Sequence, residues 1–159
     1  MIKRTHTCGE ITSSGKDARV SLNGWISKIR DLGSIIFIDL RDRYGKTQIF
    51  FGEETNQKIF KRAKKLSLED VIGISGKVVL RPDDAINKEI LTGSIDIDVD
   101  ELVVYNESDP MPFDINDRNS ASEEHRLKFR YLELRTRELQ SNIVVRHKAS
   151  IAVRQFLNA

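Results

Sequence analysis

The sequence predicts a mainly β fold, a five-stranded barrel in the order β-β-β-α-β-β, followed by a linker and C-terminal helices. Three observations carry this. Short apolar-alternating runs fill residues 18–103, one stretch among them switches to a helical period, and the composition turns polar and proline-bearing after Tyr105. With 159 residues, 39% hydrophobic and 31% charged, the chain can bury one ordinary core and carry a short appendage.

The first strand is long. Val20, Leu22, Gly24 and Ile26 alternate with polar or amphipathic residues, and the run continues through Lys28 and Arg30 to a break at Asp31-Leu32-Gly33. Ile36, Ile38 and Leu40 alternate with Phe37, Asp39 and Arg41 in a second strand, which turns at Tyr44-Gly45-Lys46 into a third, Thr47 to Phe51. From Glu53 to Leu66 the period becomes helical: Ile59, Ala63 and Leu66 form one stripe, and Lys58, Lys61, Arg62 and Lys65 another. Strand signals resume from Ile72 to Leu80 and, after a loop at 82–92, with Ile95, Ile97 and Val99 facing away from Asp96, Asp98 and Asp100. A long first strand with a central glycine, and a helix between strands three and four, is the order of an OB-fold barrel. A split α+β sandwich is the structural rival. The segment 106–112 then reads as linker. Ser120 with Glu123 reads as a capping box opening a helix near Glu123 to Arg135, and a second helix carries Val145, Ala149, Ala152 and Phe156 on one stripe. A helix closing on Phe156-Leu157-Asn158-Ala159, with no Gly, Pro or polar tail, reads as an element interrupted or presented to something beyond it.

The apolar runs, such as 35–38, are too short to cross a bilayer, and residues 1–6 lack the apolar stretch of a secretory signal, so a cytoplasmic protein without a membrane partner is expected. The single cysteine, Cys8, excludes a disulfide framework and a multi-thiolate zinc site and reads as a small buried residue. A net charge of +2 excludes a bulk polycation, so any RNA contact uses local patches.

Phe37 is the most informative residue. Alternation sets it on the face of Asp39 and Arg41, where a ring serves as a platform for an unstacked base, or else is covered by the helix or the N-terminal segment. Gln48 can share that face and present an amide to a base edge. Lys28 and Arg30 are placed to meet a phosphate or a base, or are plain surface cations. Trp25 reads as part of a secondary core. The basic helix stripe either follows an RNA backbone or is a soluble face, and the acidic row at 96, 98 and 100 repels phosphate. No Gly-rich phosphate loop and no nucleophile-and-base pair is present, so no active site is expected in these residues.

Several motifs in order narrow the reading: Arg4-Thr5-His6 with Cys8-Gly9-Glu10, Asn23-Gly24-Trp25, the unbroken block from Arg30 to Arg43, Thr92-Gly93, Arg126 to Arg135, and Arg146-His147-Lys148. From residue 4 onward the chain resembles the bacterial-type aspartyl-tRNA synthetases. That resemblance implies an anticodon-binding domain over 1–105, a hinge over 106–138, and the first helix of a catalytic domain over 139–159. The complete enzyme of the family is a class II ligase, a homodimer using ATP, magnesium and aspartate. Its catalytic motifs would lie after Ala159, so this chain alone should be inactive and needs no cofactor. The partner implied is the anticodon loop of tRNA(Asp), not DNA. By matching motif, Phe37 stacks in the loop, Gln48 reads the central uridine, and Arg30 contacts the loop nearby. Arg81 and Asn87 match positions near the anticodon, and Asp96 stands where a glutamate, one methylene longer, usually helps recognise the first base. The corresponding domains of asparaginyl- and lysyl-tRNA synthetases share the fold, but the N-terminal motif and the 30–43 block favour the aspartyl family. A stand-alone OB-fold protein binding single strands would leave the hinge and last helix without a role.

Overall fold

The structure, a computed structural model, describes residues 1–52, 54–117 and 120–158. Two compact units divide it, Met1–Pro110 and Met111–Ala159. Among the described residues the first unit holds five strands, β1 (Arg19–Asp31), β2 (Ile36–Arg41), β3 (Lys46–Phe51), β4 (Val71–Leu80) and β5 (Ile95–Asn106), with the helix α1 (Gln57–Ala63) between β3 and β4. They close into a barrel in the order β1-β2-β3-β5-β4, with β3 and β5 parallel and the other pairs antiparallel.

The length of β1 closes the barrel. Its first half, Arg19 to Trp25, pairs with β4, and its second half, Trp25 to Asp31, pairs with β2. The strand bends through a register shift between Ile26 and Lys28. Gly24 lies at the corner, where a Cβ would meet the carbonyl of Arg41 and come within 3.1 Å of the Leu40 side chain. Inside, the alternating positions Leu22, Ile26, Ile38, Leu40, Ile49, Phe51, Ile72, Ile74, Ile95 and Ile97 are fully buried. Each such side chain contributes about 1.5–3 kcal/mol relative to exposure. Cys8 belongs to this core, and burial, with Asp42 beside it, pushes its thiol far up and leaves it unreactive.

Ala63 of α1 is buried, with Ile59, Phe60 and Leu66 packed against the core, while Lys58, Lys61, Arg62, Lys64 and Lys65 are exposed. The helix is shorter than the expected 53–66. A turn in which Thr55 N donates to the Gly52 carbonyl at 3.1 Å precedes it, Asn56 then caps it by accepting from Lys58 N at 2.9 Å, and Glu53 lies outside the described residues. The last strand runs past the expected Val99 to Asn106, because a register shift opposite Ser75 and Gly76 leaves Asp100 and Glu101 both outward and breaks the two-residue period.

The second unit contains α2 (Glu123–Lys128), α3 (Arg130–Glu133) and α4 (Arg137–Leu157). The single helix expected over 123–135 is broken at Phe129, whose φ of −109° and ψ of 45° leave the helical region and turn its ring onto Phe113, Ile115 and Leu132. Its cap is Ser122, which accepts from His125 N at 3.3 Å; Ser120 instead donates to the Asp117 carbonyl at 2.7 Å. Glu133 is buried between Arg126, at 3.2 Å, and Arg130. The stripe of α4 carrying Val145 and Phe156 is exposed.

Candidate nucleic-acid interface

The outer face of β1, β2 and β3 is built by register. Arg30 pairs with Phe37, Phe37 with Phe50, and Asp39 with Gln48, so these side chains stand in adjacent rows on one surface. Phe37 is half-buried. Its neighbours are the ring of Phe50, with centroids 6.0 Å apart and planes 38° apart, and the Arg30 guanidinium, 5.7 Å from the Phe37 centroid. The pair forms a short aromatic step.

Gln48 lies beside that step and is buried at its base. Its Oε1 accepts from Arg30 Nη2 and from Arg81 Nη2, each at 2.9 Å. Two cationic donors on one oxygen determine the amide's orientation, since the reverse would oppose donor to donor. The NH2 end is left for solvent or a ligand. Asp96 accepts from Arg81 Nε at 2.7 Å, and Asp39 lies 3.8 Å from Arg30. Two arginines and two aspartates thus surround one glutamine, so the cluster offers shaped hydrogen bonding rather than bulk charge. Burial pushes the Asp96 carboxyl above the ordinary aspartate range and outweighs the pull of Arg81; burial also raises Asp98, with repulsion from Glu54 and Asp100 adding to it.

Five of the six residues expected from sequence, Arg30, Phe37, Gln48, Arg81 and Asp96, fall in this one cluster. Asn87 does not join it through any described hydrogen bond. Its side chain accepts from Glu89 N at 2.9 Å and its backbone N donates to the Gly93 carbonyl at 3.0 Å, which shapes the 82–92 loop. That loop is tied down where Thr92 donates to the Lys46 carbonyl at 2.6 Å. Trp25 also stands on the outer face, with the Arg41 guanidinium 5.9 Å from its ring, and Arg41 bonds Glu69 at 2.5 and 2.7 Å. Phe50 escaped the sequence reading. Its signal is parity: it is two residues from Gln48 and so shares its face.

Residues 20–105 match the tRNA anti-codon family model, described as an OB-fold nucleic acid binding domain. The chain belongs to that family. Along its length this OB-fold chain is 40% identical, over 158 residues, to the aspartate-tRNA(Asp/Asn) ligase of Desulfosudis oleivorans, covering 99% of this chain and 26% of that one. It is 39% identical over 158 residues to the aspartate-tRNA ligase of Halalkalibacterium halodurans, covering 99% and 27% respectively. The chain therefore spans about a quarter of these relatives. Among solved structures, the asparaginyl-tRNA synthetase of Pyrococcus horikoshii superposes with a TM-score of 0.81 at 26% identity, over 99% of this chain and 34% of that one. Among the described residues no helix is long and apolar enough to cross a membrane, and no cluster of His, Cys, Asp and Glu could hold a metal ion.

Proposed function

We propose that this chain is the anticodon-reading front of an aspartyl-tRNA synthetase, whose barrel receives the unpaired anticodon loop of tRNA(Asp). The observation that carries the reading is the aromatic step of Phe37 and Phe50 set beside an amide of determined orientation. Base stacking supplies affinity from any sequence, and the Gln48 NH2 group selects a base with a carbonyl at that edge, as a central uridine has. Arg30 closes the step from one side, Arg81 and Asp96 support Gln48 from below, and Asn87 shapes the loop near the first base. Residues 1–105 act as the anticodon domain, 106–138 as a hinge, and 139–159 as the first helix of a catalytic domain. The longer ligase, a cytoplasmic homodimer, joins aspartate to tRNA with ATP and magnesium bound outside this chain.

Fluorescence anisotropy with stem-loops carrying aspartate, asparagine and lysine anticodons tests the reading. The expected result is salt-sensitive binding, with the aspartate loop preferred and no aminoacylation. The three anticodons share a central uridine, so Gln48 contributes affinity common to all, and discrimination comes from the other positions. Phe37→Ala is expected to weaken binding by about 1–3 kcal/mol. Equal binding by that variant would remove Phe37 from the interface.

A further inference from the structure

We propose that the hollow beside α1, walled by Phe60, Lys61 and Lys64 on one side and Ser34, Gly52 and Thr55 on the other, is a phosphate-directed subsite of the same interface. It takes the ribose-phosphate next to the bases held at Phe37 and Phe50, and so rests on the reading of the barrel as a single-strand RNA binder.

Continuity is the first argument. Gly52 follows β3 directly, and a Cβ there would lie 3.5 Å from the Phe50 ring, so the hollow opens immediately beside the aromatic step. Phe37 and Phe50 sit one register row inward from Ile36 and Phe51, at the same end of the β2–β3 ladder. A strand leaving the step toward this end has the hollow as its next support.

Size and charge are the second. Its volume of about 570 Å³ is within the roughly 300–1,000 Å³ of small-ligand clefts and holds one nucleotide. Lys61 of α1 and Lys64, the C-cap of that helix, are three residues apart and both line the hollow, and Lys64 Nζ lies 5.2 Å from the Phe60 ring centroid, which holds the ammonium at the wall. The other cations of this segment, Lys58, Arg62 and Lys65, are exposed but do not line the hollow. Among the described residues the acids toward this end include Asp31, in register with Ile36, and Glu54 and Asp98, close enough to repel one another, and none of the three lines the hollow. The opposite wall is neutral: Ser34 contributes a hydroxyl, and Thr55 Oγ1 accepts from Gly52 N at 3.0 Å, which sets the turn. Two lysines in the lining together with small neutral residues suit a phosphodiester and its ribose, and they read no base.

The test uses this chain and the aspartate stem-loop. Lys61→Gln with Lys64→Gln is expected to weaken binding about fivefold and to lower the salt slope by about one to two. Lys58→Gln with Lys65→Gln, the first on α1 and the second just past its C-terminal cap, both outside the lining of the hollow, should leave affinity near that of the parent. All four positions are exposed, and circular dichroism should overlay throughout. Replacing loop phosphates one at a time by neutral methylphosphonates then locates the subsite. One phosphate beside the stacked bases should matter to the parent and cease to matter to Lys61→Gln/Lys64→Gln. Equal losses for the two lysine pairs, or no phosphate coupled to Lys61 and Lys64, would overturn the subsite while leaving the anticodon reading intact. A parent that binds no stem-loop would overturn both, and the failure would then lie with the proposed function.

Discussion

Arg81 donates from Nη2 to Oε1 of Gln48 at 2.9 Å, from a side chain only 5% exposed. A guanidinium so deep requires a counter-charge, and Asp96 supplies it at 2.7 Å. The orientation of the Gln48 amide is thereby decided from beneath the aromatic step.

That relationship separates binding from stability. Gln48→Glu keeps the shape and presents a carboxylate to Arg30 and Arg81, so the unfolding free energy from urea titration should hold or rise, by up to about 1 kcal/mol. The variant has no NH2 to offer a base, and stem-loop affinity should fall by about 1–3 kcal/mol. Undiminished RNA binding would show that the amide reads nothing.

Phe50 is expected to behave as the second half of the platform. Phe50→Ala should weaken RNA binding by about 1–3 kcal/mol, with a smaller loss of fold stability than a core truncation such as Phe51→Ala, about 3–5 kcal/mol. If one base rests across both rings, Phe37→Ala and Phe50→Ala will be non-additive in a double-mutant cycle.

The raised carboxyls of Asp96 and Asp98 set the direction of a pH effect. In the fold each takes up its proton at a higher pH than in the unfolded chain, whose ordinary value is 3.8. Their contribution to stability therefore becomes more favourable as pH falls through the folded values, opposite to that of a carboxylate whose ion pair outweighs its burial. Protonation also removes negative charge beside the aromatic step, so RNA affinity should rise over the same interval. Asp98→Asn should flatten part of that rise in anisotropy titrations run at constant ionic strength.

Gly24 has a structural role that a single methyl group tests. Gly24→Ala forces a Cβ against the Arg41 carbonyl at the barrel corner and should cost about 1–3 kcal/mol in urea unfolding. Gly15→Ala is the control. There the nearest atom lies 3.9 Å away, and the melt should barely move.

The strands were legible wherever one face is buried, because burying alternate side chains imposes a two-residue period on the chain itself. Val20 to Ile26, Ile36 to Leu40 and Ile95 to Val99 all carry it. The period fails where geometry is decided by a partner. The end of β5 was hidden by the shift opposite Ser75 and Gly76, and the break at Phe129 arises because its ring is drawn into a small core with Phe113 and Leu132. Resemblance in motif order indicated Arg81 and Asp96, which no local pattern marks.

By itself the sequence determined the order of the elements, the inward residues and the outward placement of Phe37, since each follows from hydrophobic periodicity along a few neighbouring residues. Only the tertiary structure decided what Phe37 stands beside. Register brings Phe50 against it, and closure of the barrel brings Arg81 to Gln48 across 33 positions of chain. Such contacts satisfy buried charge and hydrogen bonding between distant segments, and those demands leave no period in the sequence to read.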